Sequence, residues 1–421
     1  MIINLIFFYT QKIILLNEGK GIDGAEYYEI AKEFSEGKEI QANAPLAYRI
    51  GTPFLASIID KDDLIHGFFF ANLIANFIAY ILLFFFLKIY LKNFYLLIFL
   101  ITLYLFHPLC NIRFIYFCPV ITDPWGHVFF LTGLILIEKF RHNKSNVYIL
   151  FLSVISFIGV LFREYIIIIP LSLLFINNPF ANRNIFYLNL KKIFYNGIFI
   201  FFPLLSAIAG IIVTHMIVIN TDSNHSFIKT AFYFFYEKSL FQYVHAWFVS
   251  VGPILAILIF FYKKVFKFLN ENQHFLFLFF STIVLSFAGG TDSRRIILWF
   301  IPIILLLEGS VIINHLLLIK KIFFIIPLIL FQSISMKVFT QIPEPMRNNT
   351  ELGVPIMPVL EDNCFLNLIS PLEDLKFEFV SFLKYSFAIG FLMIILRYYY
   401  IKINKCKINS FKYTIKNNLS K

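Results

Sequence analysis

Long runs of Phe, Ile and Leu alternate along this chain with short polar breaks. Many runs approach the roughly 20 apolar residues that a helix needs to cross a bilayer core. They predict apolar helices near 2–16, 64–87, 94–106, 120–137, 147–162, 165–176, 193–219, 243–261, 275–287, 296–318, 322–334 and 379–396. The shorter runs require tilt or local thinning to cross. Between 147 and 176 the apolar pattern is broken by Arg163-Glu164. The flanking breaks are both basic, with Arg141 and Lys144 before and Arg183, Lys191 and Lys192 after. Equal charge on both flanks calls for two passes or a re-entrant pair, with Arg163 and Glu164 at the tip. The expected fold is all-α: a polytopic transmembrane helical protein of about eleven to thirteen spans.

Two polar segments are long. In 17–63, Tyr27, Tyr28, Ile30, Ala31 and Phe34 fall at helical spacing, with Glu26, Glu29, Lys32, Glu33 and Glu36 between them. That pattern predicts an amphipathic helix able to lie in the plane of a membrane interface. Segment 336–378 carries Pro343, Pro345, Pro355, Pro358 and Pro371 and is expected to be extended and irregular. No internal repeat or soluble domain is legible, so 1–421 is read as one integral membrane domain. The first run lacks a basic flank and a cleavage site and is expected to be a retained span rather than a signal peptide.

Composition agrees: 59% of residues are hydrophobic and 14% charged, with a mean hydropathy of +0.78, which excludes an ordinary soluble domain. The net charge of +11 would point to nucleic acid in a soluble chain. Here the excess follows the breaks. If odd breaks face outside, the inside breaks hold 20 of the 36 Lys and Arg, with Glu138 and Glu271 as their only acids. This positive-inside asymmetry implies a multi-pass protein of the cytoplasmic membrane, with membrane lipids as partners and no nucleic acid. Four cysteines show no paired spacing; three fall outside.

The residues with candidate chemistry gather on the outside breaks. Asp23 opens the helix pattern of the first loop, where a carboxylate can serve as a general base or as an N-cap. Arg49, in Tyr48-Arg49-Ile-Gly51-Thr-Pro53, has a planar fork suited to phosphate, or snorkels at an interface. Asp123, followed by Pro124 and Trp125, fits a helix start, with His127 one turn on. Arg163 and Glu164 point apart if helical, so each needs its own partner. Asp292, Arg294 and Arg295 follow Gly289-Gly290-Thr291, and two outward arginines against the topology rule require a compensating anion. No P-loop, zinc spacing or Ser-His-Asp pattern is present. No metal ligand set is read; a divalent metal ion stays open as a cofactor.

The stretch Gly-Ile-Asp23-Gly-Ala-Glu26-Tyr-Tyr28-Glu-Ile-Ala31, continued through Phe34-Ser-Glu-Gly-Lys38 and Ala44-Pro45-Leu46-Ala47-Tyr48-Arg49, resembles the first outer loop of GT-C-type glycosyltransferases. The family pattern is an acidic pair, a Tyr, Ile-Ala, a Gly turn and a Pro-rich segment. Asp23 matches the first acid, and Gly24 departs from the second. The resemblance spans about the first sixth of the chain and extends to the Asp-x-x-Arg before a Pro-containing span. It implies transfer of a sugar from a polyprenyl-phosphate donor to an extracytoplasmic glycan, lipid or protein. Asp23 would be the catalytic base, and Arg163, Arg294 or Arg295 would steady the leaving phosphate. Tyr48 and Arg49 would line the groove, Asp292 and Glu164 would orient the arginines, and 336–378 would cover the site. The alternatives are a transporter or flippase of lipid-linked sugars, which needs polar residues through its midplane, and a non-catalytic assembly subunit.

Overall fold

In the computed structural model the described residues are 2–21, 23–105, 107, 110–176, 190–220, 226–289, 293–315, 321–336, 342, 379 and 382–402. They are helical apart from short turns and one pair of three-residue strands. The centre is built from α4 (Leu64–Tyr90), α7 (Asp123–Asn143), α8 (Asn146–Phe162) and α10 (Leu190–Ile217), packed in that order. On α4, Gly67, Ala71, Ala75 and Ala79 recur every fourth residue and are buried. Small residues at that spacing let helices approach closely. A neighbouring stripe, Phe70, Ile74, Phe77, Ile81 and Phe85, is exposed.

Among the described residues, three helices are long and apolar enough to cross a membrane: Leu64–Tyr90, Phe199–Ile217 and Phe382–Lys402. A fourth crossing forms if α16 (Ser293–Trp299) and α17 (Ile301–Asn314), bent by 65° at Phe300, act together. Most other expected runs are shorter or broken. The run 243–261 divides at Gly252-Pro253 into α12 (Leu240–Val251) and α13 (Leu255–Phe260), and 165–176 into a 3-10 turn and α9 (Ile168–Leu173). Periodicity reports apolar faces, whereas a proline's missing N–H and fixed φ decide where a helix restarts.

In the first loop, the predicted helix is α2 (Asp23–Glu36). It does not offer its apolar face to an interface, because Tyr27, Ile30 and Ala31 are fully buried with Ala56 of α3 (Gly51–Ile59), Phe68 and Val120. Strand β1 (Ile40–Ala42) pairs in parallel with β2 (Val218–Asn220), tying the loop to the end of α10. The outer edge of β1 is closed by α2: Glu33 Oε2 accepts the Gln41 N–H at 2.9 Å, and Glu26 accepts the Asn43 N–H.

Gly24 has a steric explanation. A Cβ there would stand 2.6 Å from the Val120 carbonyl oxygen, so the second acid of the resembled pattern has no room. Gly24→Ala is expected to cost about 1–3 kcal/mol through overpacking, read as a lower melting temperature. An unchanged melting temperature would show that α2 can lift from Val120.

The breaks read as one side in the sequence meet at one end of the bundle. Arg141 Nη1 donates to Asn272 Oδ1 at 2.6 Å and Nη2 to Tyr90 Oη at 3.0 Å. Glu138 lies 2.7 Å from His274 Nε2 and 2.9 Å from Arg141 Nη2. The 21 residues of α7 separate this end from Asp123 by about 30 Å at 1.5 Å per residue. Of the Pro-rich stretch 336–378, expected to cover the site, all but Met336 and Ile342 lies outside the described residues.

Candidate functional site

Asp123 opens α7 beside Pro124, a favourable place for a carboxylate at a helix N-terminus. It is buried and takes donors on both oxygens. Oδ1 accepts Trp299 Nε1–H at 2.6 Å and Arg163 Nη2. Oδ2 accepts Arg295 Nε at 2.9 Å and Nη2 at 2.6 Å, a planar two-bond grip. Arg295 then extends Nη1 to Asp23 Oδ2 at 3.0 Å. The Arg163 guanidinium lies 5.1 Å over the Trp299 ring, and that ring stacks on Tyr165 at 4.7 Å.

Arg163 adopts an extended backbone, φ −153° and ψ 121°, at the end of α8. Successive side chains on extended backbone face opposite ways, so Glu164 turns from Asp123 to Arg49. Arg49 donates Nε to Oε2 at 2.9 Å and Nη2 to Oε1 at 2.5 Å, while its Nη1 donates to Tyr27 Oη at 2.7 Å. The first turn of α7 makes room at Gly126, where a Cβ would be 2.9 Å from both Arg163 Cγ and Tyr165 Oη.

Six sequence candidates therefore form contiguous oppositely charged pairs: Asp23, Arg295, Asp123 and Arg163, with Glu164 and Arg49 alongside. Three carboxylates balance three guanidinium groups. The expected surplus of positive charge is absent from this set, and the compensating anions for Arg163 and Arg295 are supplied from within. Accessibility is uneven along it. The Arg163 side chain is 0% exposed and Asp123 6%, against 29% for Arg295 and 40% for Asp23. The Asp23 carboxylate holds Arg295 rather than capping its helix among the described residues.

The remaining candidates lie apart from this set. Arg294 is buried with its charge acting on His245 and Tyr385, and its backbone oxygen accepts Ser250 Oγ at 3.3 Å. It is directed away from Arg295 and the Asp123 array, because neighbours on a helix diverge. Tyr48 packs on His215 with ring centroids 4.8 Å apart, buttressing the loop against α10. Asp292 lies outside the described residues. Glu164 orients Arg49, not Arg163.

Sequence reasoning missed Tyr27, Trp299 and Tyr165, whose roles depend on contacts made across the fold. It also missed the task of His127. His127 Nε2 stands 2.9 Å from the Leu298 carbonyl, so that nitrogen carries the hydrogen, and Nδ1 accepts from Asn111 Nδ2 at 2.5 Å. His127 thus fixes the backbone just before Trp299, where α16 ends. Among the described residues no group of three or more His, Cys, Asp or Glu is arranged to hold a metal.

Burial opposes ionisation of Glu164, but Arg49 outweighs it and holds the carboxyl below its ordinary range. Glu26 is shifted up by burial, with the Asn43 N–H opposing and the Asp23 charge adding to it. A depressed carboxyl stabilises the fold above its unfolded pKa and loses that contribution as pH falls through the folded value. Wild-type stability is therefore expected to fall below the ordinary carboxylate range. Glu164→Gln is expected to flatten that acid limb while lowering stability at neutral pH, since Arg49 loses its partner. Melting curves from acid to neutral pH check this; an unchanged acid limb would assign it to other carboxylates. Along the outer side of α2 opens a cavity of about 740 Å³, lined by Lys20, Glu26, Glu29, Glu33, Gln41 and Asn43.

No known protein family, curated protein or solved structure matches this chain.

Proposed function

We propose that this chain is a membrane glycosyltransferase that moves a sugar from polyprenyl phosphate to an acceptor hydroxyl on the face where Asp23 lies. The observation that carries the reading is the Asp23–Arg295 pair: the accessible end of an otherwise buried, charge-balanced array. Only Oδ2 of Asp23 is engaged among the described residues, which leaves Oδ1 for an acceptor. The acceptor oxygen would attack the anomeric carbon as its proton passes to Asp23. The bond from that carbon to the phosphate oxygen would break, and the departing phosphate would be steadied by Arg295. Asp123 would hold Arg295 in place through its two-bond grip. Arg163, with no exposed surface, is assigned to support Asp123 rather than to contact phosphate.

Embedding in a membrane is supported by the exposed apolar stripe of α4 and by polar groups gathered at both ends of α7. The test is reconstitution with a polyprenyl-phosphate sugar and a panel of glycan, lipid and protein acceptors. Acceptor-dependent release of polyprenyl phosphate with sugar transfer is the expected result. Movement of intact donor between leaflets without transfer would replace this reading with a flippase.

A further inference from the structure

A second surface lies at the opposite end of α7, on α14 (Tyr262–Glu271). At 3.6 residues per turn its side chains sort into three strips. Val265 and Leu269 are buried against the protein. Tyr262 and Phe266, one turn apart, form the next strip and are 53% and 52% exposed. Lys263, Lys264 and Lys267 lie on the remaining strip, all exposed, beside exposed Asn270 and half-buried Phe268, with Glu271 the single acid of this helix, 3.8 Å from Lys267.

The aromatic strip does not end with α14. Phe260 and Phe261 meet the Tyr400 ring at 6.0 and 6.3 Å, which brings the end of helix Phe382–Lys402 alongside. That helix adds exposed Tyr398, Tyr400 and Ile401 and the exposed cations Arg397 and Lys402. The two adjoining helix ends therefore carry exposed rings together with five exposed cations. A helix facing only water has no reason to present Tyr262 and Phe266 between its buried face and its lysines. One lying at a bilayer surface does, because the rings enter the acyl boundary while the lysines meet the headgroups.

We propose that α14, with the end of helix Phe382–Lys402, is a binding surface for anionic phospholipid headgroups. The five cations supply the charge complementarity, and the rings set the depth. This rests on the membrane placement argued above and is independent of the sugar transfer.

The test uses the full chain purified in detergent, with phosphatidylglycerol or phosphatidylcholine added in mixed micelles. A ligand that binds only the folded state raises its melting temperature. Phosphatidylglycerol is expected to raise it more than phosphatidylcholine, and less so at high salt. The combined Lys263→Gln, Lys264→Gln, Lys267→Gln variant should lose on the order of a hundredfold in apparent affinity at low salt. Its melting temperature in phosphatidylcholine should match wild type. Lys32→Gln, Lys38→Gln, Lys61→Gln, at the other end, should keep the full response. A triple variant at 263, 264 and 267 that keeps its response, a control that loses as much, or equal protection by inorganic phosphate would each overturn the proposal.

Depth is read separately in Phe266→Trp with lipids brominated on their acyl chains. Quenching beyond that of the native tryptophans is expected, and none would remove the insertion of the aromatic strip. A chain that takes up neither lipid would remove the membrane placement itself. One that takes up both without preference removes only this surface and leaves the transferase reading intact.

Discussion

Asp123→Ala is expected to destabilise the protein by about 3–5 kcal/mol, the cost of leaving buried charge without its partner. Asp123 is where Arg163, Arg295 and Trp299 converge. Arg163 has no exposed surface through which water could replace the carboxylate. Its Nε and Nη1 already lack hydrogen-bond partners among the described residues, so the Asp123 contact is its main compensation. Asp123→Asn keeps the shape and an acceptor for Trp299 but leaves the array one positive charge in excess. It should fall between wild type and Ala. Replacing both partners by apolar residues, Asp123→Leu with Arg163→Met, should recover part of the loss, since an apolar pair pays no ionic desolvation. Melting temperatures in detergent report all three. A loss near zero for Ala would mean that water reaches Arg163 and that the array is not sealed.

Asp23→Asn is expected to lower transfer by about 10²–10⁴-fold, the usual contribution of a positioned general base. Its effect on stability should stay within about 0.5 kcal/mol, as for a partly exposed residue. The two effects separate because Arg295 keeps its two bonds to Asp123 when Asp23 loses its charge. Asp23→Glu, which retains a carboxylate on a longer arm, should restore part of the activity. Wild-type turnover in Asp23→Asn would reduce Asp23 to an anchor for Arg295. Together the variants would divide the array, with Asp123 holding it and Asp23, on the proposed function, taking the acceptor proton.

Much of the fold was legible because apolar runs and charge sorting act locally. The run 64–87 became Leu64–Tyr90, and 147–162 became Asn146–Phe162. The breaks assigned to one side, carrying Tyr90, Arg141 and Asn272, do meet at one end. What was not legible is where an apolar run stops being one helix. Gly252-Pro253 and Phe300 break theirs, and only some helices are long enough to cross.

For the site, the sequence alone supplied the residue types and the expectation that they share one side. Arginines expected on the outer side, against the topology rule, called for anions, and Arg163 and Glu164 called for separate partners. Which anion answers which arginine was decided by the tertiary structure. Partners 40, 115, 172 and 272 residues apart leave no periodic trace. The same holds for Gly24, whose missing side chain is explained only by the Val120 carbonyl that packs against it. It holds too for Arg294, which a helical turn of the backbone directs away from its neighbour Arg295. Local chemistry sets what each residue can do, and long-range packing sets what it meets.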